Sequence, residues 1–168
     1  WMLLFVVTVI FSLGYLLFYP GLGSSAGQLE WSSAGAHADD AHLARVHHLL
    51  APTGQVVTVP ERYQNAVTAI SGSGPAYLFY VVESMIEAGV QLGLPRDIST
   101  QLVVQTMLGS ATLISETGAH PTTLREMVTS PGGTTAAAVR VLEDHGVRAA
   151  FMAAMEAARD RAQALASS

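Results

Sequence analysis

A seven-residue stretch, TSPGGTT at 129–135, packs four hydroxyls, two glycines and a proline between two runs of helical pattern, PTTLREMV and AAAVRVLEDHG. A helix starting near Thr135 has unpaired backbone N–H groups and a partial positive charge in its first turn. Gly132 and Gly133 carry no side chain, so a ligand can approach the backbone there, and both reach dihedrals closed to other residues. Pro131 fixes one torsion, and Ser130, Thr134 and Thr135 add hydroxyl donors. Donors gathered at a helix start suit a negatively charged oxygen group such as a small carboxylate. A plain N-cap by Thr134 or Thr135 behind a glycine turn explains the same spacing, and spacing by itself favours that simpler account.

SGSG at 71–74, followed by Pro75, repeats the device: small residues and hydroxyls, then proline where a helix begins. A tight turn packed against a neighbour is its plainer account. Two such helix starts in one small bundle argue for a shared site. Other chemistry is sparse. His37, His42, His47 and His48 lack the i, i+4 spacing of a helical zinc site and have no thiolate to help them, so they are expected on a helix surface, with no metal. His120, before Pro121, is expected to cap a helix. Glu83, Glu87 and Glu116 read as polar spots on buried helices. No carboxylate pair and no Ser–His–Asp spacing stands out, so any redox or bond-making step belongs to a cofactor.

The elements that must position these loops are mostly helices. DDAHLARVHHLLAP puts Leu43, Val46, Leu49 and Leu50 on one face, with Asp39 and Asp40 at the end the helix dipole favours. QVVTVPE is a short strand stopped by Pro60. Helix plus strand looks like the tail of a βαβ unit whose beginning is missing. After Arg62 everything reads as helix, over about 75–92, 97–116, a short helix from Pro121, 135–144 and 147–166. AYLFYVV in the first of these is apolar all round, which predicts burial on every side.

Residues 1–19, WMLLFVVTVIFSLGYLLFY, carry no charge and are long enough to cross a bilayer. They lack the basic flank and cleavage site of a secretory signal. Two readings stay open: a membrane anchor, or sequence foreign to the domain, as in a fragment that lacks an initiator Met. Residues 20–37 are a Gly/Ser/Ala-rich linker in which Gly21-x-Gly23-x-x-Ala26 matches a dinucleotide fingerprint only formally, without the strand and helix that the mechanism needs. The boundaries expected are therefore 1–33, 34–60 and 61–168.

Composition narrows the classes. The chain of 168 residues has no Cys, and its eight basic residues, all Arg, are scattered against 13 acidic ones for a net charge of −5, which speaks against nucleic acid. With half its residues apolar and 12% charged, the chain is expected to bury surface against a partner.

The two motifs in their settings, AVTAISGSGPAYLFYVVESMIEAGVQLGLPRD and HPTTLREMVTSPGGTTAAAVRVLEDHGVRAAFMAAMEAA, closely resemble the C-terminal domain of the pyrroline-5-carboxylate reductase family, from about Gly35 to Ala166. The resemblance implies a mainly α chain: a helical bundle dimerisation domain, like the C-terminal domain of 6-phosphogluconate dehydrogenase, behind a helix–strand remnant of a Rossmann domain. It implies reduction of a cyclic imine, 1-pyrroline-5-carboxylate, to L-proline with NADPH or NADH. It implies a cytoplasmic homodimer, assembled further into a decamer, with membrane contact only if residues 1–19 are an anchor. Thr135 would take the catalytic role beside the ring nitrogen. Ser130, Gly132, Gly133, Thr134, Val128 and Glu61 would bind substrate with it. Met127 and Ser71, Gly72, Ser73 and Gly74 would face the nicotinamide. The family's fingerprint and PNTP motif have no counterpart here. Asn65 stands where Asp is usual and Met127 where Asn is frequent. A chain without the nucleotide half is expected to be inactive alone. The competing expectations are a membrane-tethered helical interaction module without catalysis and a free-standing sensor of proline or another carboxylate.

Overall fold

The computed structural model describes residues 29–34 and 37–167. Residues 1–28, with the anchor and fingerprint expectations that fall on them, lie outside the described residues. The chain divides into two units, one ending at Gly74 and resuming at Met155, the other Pro75–Ala154.

The first unit holds a two-stranded parallel sheet of β1 (Leu29–Ser32) and β2 (Gln55–Thr58), in register from Leu29↔Gln55 to Ser32↔Thr58. Parallel neighbours need a crossover, and helix α1 (Asp40–Leu50) supplies it. The βαβ unit therefore has both its strands, and residues 29–32 of the expected linker are strand. Leu29 and Trp31 alternate with polar residues in a strand of four, too short to stand out among Ser, Gly and Ala.

Asp39 caps α1 by accepting the His42 amide at 2.9 Å, and the His42 ring accepts the Asp39 amide in return. The His42 amide holds the Asp39 carboxyl below its ordinary range. His47 departs from the expected surface position: it is half-buried, with Nε2 2.6 Å from Thr58 Oγ1 and 3.4 Å from Ser32 Oγ. It ties α1 to the last residues of both strands.

Trp31, offset by one from Ser32, lies on the other face of the sheet. There a run of helical turns, Glu61–Tyr63, Gln64–Val67 and the π-turn Thr68–Gly72, follows Pro60. Gln64 Nε2 donates to Ser33 Oγ. A Cβ at Gly72 would lie 3.3 Å from Trp31 Cη2, so glycine lets the indole come close. Ala69 is buried in this turn.

Helix α2 (Gly74–Gln91) and helix α3 (Arg96–Thr117) form a hairpin in the second unit. They meet where Ser99, 1% exposed, donates from Oγ to the Ile86 carbonyl at 2.9 Å. Arg96 clamps Glu87 through two N–H···O bonds, which holds that carboxyl below its usual range. The expectation that AYLFYVV is buried on all sides fails: Phe79 is 59% and Tyr80 72% exposed. Ile98, Leu102, Leu108 and Leu113 of α3 are exposed as well. Apolar periodicity says which residues seek cover, and here the chain itself does not cover them.

Gly118, in the left-handed region at φ +61, ends α3 with its amide on the Ile114 carbonyl. Helices α4 (Pro121–Met127), α5 (Thr134–Asp144) and α6 (Val147–Ala166) follow. Among the described residues no helix is long and apolar enough to cross a membrane.

Candidate functional site

The 128–135 segment is built from the end of α4. His120 caps the start of that helix, its Nδ1 accepting the Thr122 amide at 3.2 Å, as its place before Pro121 predicts. At the other end Val128 donates its amide to the Arg125 carbonyl and Thr129 its amide to the Glu126 carbonyl. Thr129 Oγ1 donates to the Arg125 carbonyl at 2.6 Å. The last carbonyls of α4 are thus closed by the first residues of the loop.

Next comes a four-residue turn. The Gly133 amide donates to the Ser130 carbonyl at 3.0 Å, with Pro131 and Gly132 between them and Gly132 at φ +70. Proline then glycine with positive φ is the pattern of a type II turn. Gly133 is the N-cap of α5, extended at φ −78 and ψ 172, and no side chain caps this helix. The expected N-cap roles of Thr134 and Thr135 are not taken, because the helix begins one residue earlier than 135. Thr134 and Thr135 instead occupy its first turn.

The two glycines do different jobs. A Cβ at Gly133 would lie 2.5 Å from Ser130 Oγ and 3.1 Å from the Ser130 carbonyl oxygen, so its absence serves the loop's own closure. A Cβ at Gly132 would meet nothing within 4 Å. The open approach expected of the pair belongs to Gly132.

What remains for a ligand is specific. The first amide of α5 to bond within the helix is that of Ala137, to the Gly133 carbonyl at 3.2 Å. The amides of Thr134, Thr135 and Ala136 precede it and have no helical acceptor. Among the described residues the hydroxyls of Ser130, Thr134 and Thr135 bond to no protein group, whereas that of Thr129 does. Met127, 76% exposed, and the exposed Val128 flank the loop. The arrangement presents donors and a helix dipole but no acid or base, which suits holding an anionic oxygen group and leaves proton transfer to other groups.

The remaining candidates lie in the other unit. Glu61 is exposed and opens the turn after Pro60. SGSG is not the free helix-start loop that was expected: Ser71 and Gly72 close the π-turn, the Ser73 amide donates to the Thr68 carbonyl at 2.9 Å, and Gly74 opens α2. No cluster of three metal-ligating side chains occurs among the described residues. Sequence reasoning missed Thr129, Trp31 and His47. Only Trp31 carried a signal, as a large aromatic in a stretch of small residues.

Fold and loop together define a mainly helical domain that presents a donor-lined helix start and leaves its apolar helix faces uncovered. Residues 61–165 match the family model described as pyrroline-5-carboxylate reductase dimerisation, and the chain belongs to that family. A pyrroline-5-carboxylate reductase of Corynebacterium melassecola is 50% identical over 131 residues, 78% of this chain and 48% of the relative. The solved structure of a pyrroline-5-carboxylate reductase from Coxiella burnetii is 38% identical with a TM-score of 0.77, covering 82% of this chain and 51% of that one. That of Plasmodium falciparum pyrroline carboxylate reductase with NADP bound is 32% identical with a TM-score of 0.76, covering 81% and 55%. The chain spans about half the length of the relatives it matches. Residues 1–26 match a different family model, the N-terminal domain of cytochrome oxidase-cbb3, FixP.

Proposed function

We propose that this chain is the substrate-binding and dimerisation half of a pyrroline-5-carboxylate reductase, the NAD(P)H-dependent enzyme that reduces 1-pyrroline-5-carboxylate to L-proline. The observation that carries the reading is the start of α5. Three amides there lack helical acceptors, the neighbouring hydroxyls of Thr134 and Thr135 are unbonded, and Gly132 leaves the approach clear. The substrate carboxylate binds these amides together with Ser130, Gly132, Gly133 and Thr134, flanked by Val128, and Glu61 contributes to the same ligand's binding. Thr135 holds the ring nitrogen by a hydrogen bond, which orients the imine carbon for hydride. The hydride comes from a nicotinamide cofactor, the type of group present in the Plasmodium relative. The family reading assigns its contacts to Met127 and to Ser71, Gly72, Ser73 and Gly74, of which Gly72 lies close against Trp31.

Dimerisation belongs to the same reading. Exposed apolar residues on α2 and α3, such as Phe79, Tyr80, Leu102 and Leu108, need cover that a second copy supplies, and the site forms where subunits meet. Further assembly to a decamer and a cytoplasmic location follow from the family reading. The test is calorimetry with L-proline on the full chain, with light scattering for its mass. Binding by a dimer supports the proposal. A monomer that takes up no L-proline overturns it.

One observation favours a second reading. Residues 1–26 match a different family from residues 61–165, and residues 1–19 carry no charge, as a membrane-tethered, non-catalytic dimerisation module would require. Recovery of the chain in the soluble fraction of cells refutes it.

A further inference from the structure

We propose that Thr129 is a positioning residue for carboxylate recognition by the loop that follows it, an inference that rests on the reading of that loop given above. Of the four hydroxyls in TSPGGTT, only that of Thr129 bonds to the protein among the described residues. It is half-buried, and it grips α4 twice: Oγ1 on the Arg125 carbonyl at 2.6 Å and the backbone amide on the Glu126 carbonyl at 3.0 Å. The next residue, Ser130, accepts the Gly133 amide at 3.0 Å, and Gly133 is the N-cap of α5. A continuous series of bonds therefore runs from the last turn of α4 to the first amides of α5. Thr129 is the link where that series leaves the helix. Without its hydroxyl the Arg125 carbonyl keeps only the Val128 amide at 3.3 Å, and the turn loses its fixed origin. Three amides hold an anion well only when they are already aimed at it, because ordering them on binding costs affinity.

The experiment compares wild type, Thr129→Val and Thr129→Ser as full chains. Valine keeps the β-branched shape and removes the hydroxyl, while serine restores it. Calorimetry reads the Kd for L-proline and for prolinamide, which has the same ring without the carboxylate, and thermal unfolding is followed in parallel. The expected result for Thr129→Val is a fivefold to tenfold weaker Kd for L-proline, about the effect of one lost hydrogen bond. Prolinamide binding should stay nearly unchanged, and Thr129→Ser should return L-proline binding to within about twofold of wild type. A lower Tm with the proline-to-prolinamide ratio intact overturns the proposal and leaves Thr129 a structural cap. A wild-type chain that prefers neither ligand overturns the reading of the loop and this inference with it. Should Thr129→Val fail to fold, hydrogen exchange on the wild-type chain decides. Added L-proline must then slow the Thr129 amide together with those of Thr134, Thr135 and Ala136, and protection confined to the last three overturns the proposal.

Discussion

Replacing Gly133 by alanine tests whether the second glycine of the loop is there for closure. Its backbone, at φ −78 and ψ 172, is open to any residue, so alanine brings no dihedral strain. On that ground alone the change should stabilise by about 0.4–1 kcal/mol through the unfolded chain. Against this, the new methyl would lie 2.5 Å from Ser130 Oγ and 3.1 Å from the Ser130 carbonyl oxygen. Both contacts must give: the hydroxyl has to leave its position, and the carbonyl, which accepts the Gly133 amide, can yield only by weakening that bond. Overpacking of this kind costs about 1–3 kcal/mol, and alanine is also a poorer N-cap than glycine. The net expectation is a loss of roughly 1–2 kcal/mol. Urea denaturation of wild type, Gly133→Ala, Ser130→Ala and the double variant measures it. Because Ser130 Oγ makes the nearer contact, its removal should recover a large part of the loss, giving a coupling of about 1 kcal/mol. Costs that simply add, within about 0.3 kcal/mol, would refute closure as the reason for this glycine.

Thr135→Val should weaken L-proline binding by about 1 kcal/mol, one hydrogen bond, with dimer mass unchanged by light scattering. Gly89→Ala should destabilise the α2–α3 hairpin by about 2 kcal/mol in thermal melts, since its methyl would lie 2.1 Å from Ser99 Oγ, which is held on the Ile86 carbonyl. The Asp39 carboxyl has a folded value lowered below 3.8, so its contribution to α1 is complete above that pH and is lost as pH falls through the lowered value. Hydrogen exchange in α1 should accelerate over that acid range in wild type but not in Asp39→Asn, which keeps the cap without the charge. Assayed alone with pyrroline-5-carboxylate, the chain should oxidise negligible NAD(P)H at 340 nm, and robust turnover would refute its reading as half an enzyme.

Helices were legible because their signals are local. Pro121 and His120 mark the start of α4, and the apolar spacing of Leu43, Val46 and Leu50 marks α1. Each needs only its own few neighbours. What escaped depends on residues distant in sequence. Strand β1 exists by pairing with β2, 26 residues on, and its four residues carry too little pattern to declare themselves. His47 looks like one more surface histidine until Ser32 and Thr58 are brought beside it. The burial expected for AYLFYVV was a statement about demand, and apolar demand alone does not say whether the same chain or another meets it.

The TSPGGTT loop divides its residues between closing the chain and facing outward. Its composition alone does not say which residue does which work. In the folded chain Thr129 closes α4, Pro131 and Gly132 set the turn, and Gly133 makes room for Ser130. Among the described residues the first three α5 amides and the hydroxyls of Ser130, Thr134 and Thr135 are left unused by the protein. That division strengthens the case for an anion site. Donors left free by a loop whose other members are fixed by bonds and close contacts are already in place before a ligand arrives. A plain N-cap would have spent the Thr134 or Thr135 hydroxyl on the helix, whereas here glycine takes the cap position and neither hydroxyl has a protein partner among the described residues.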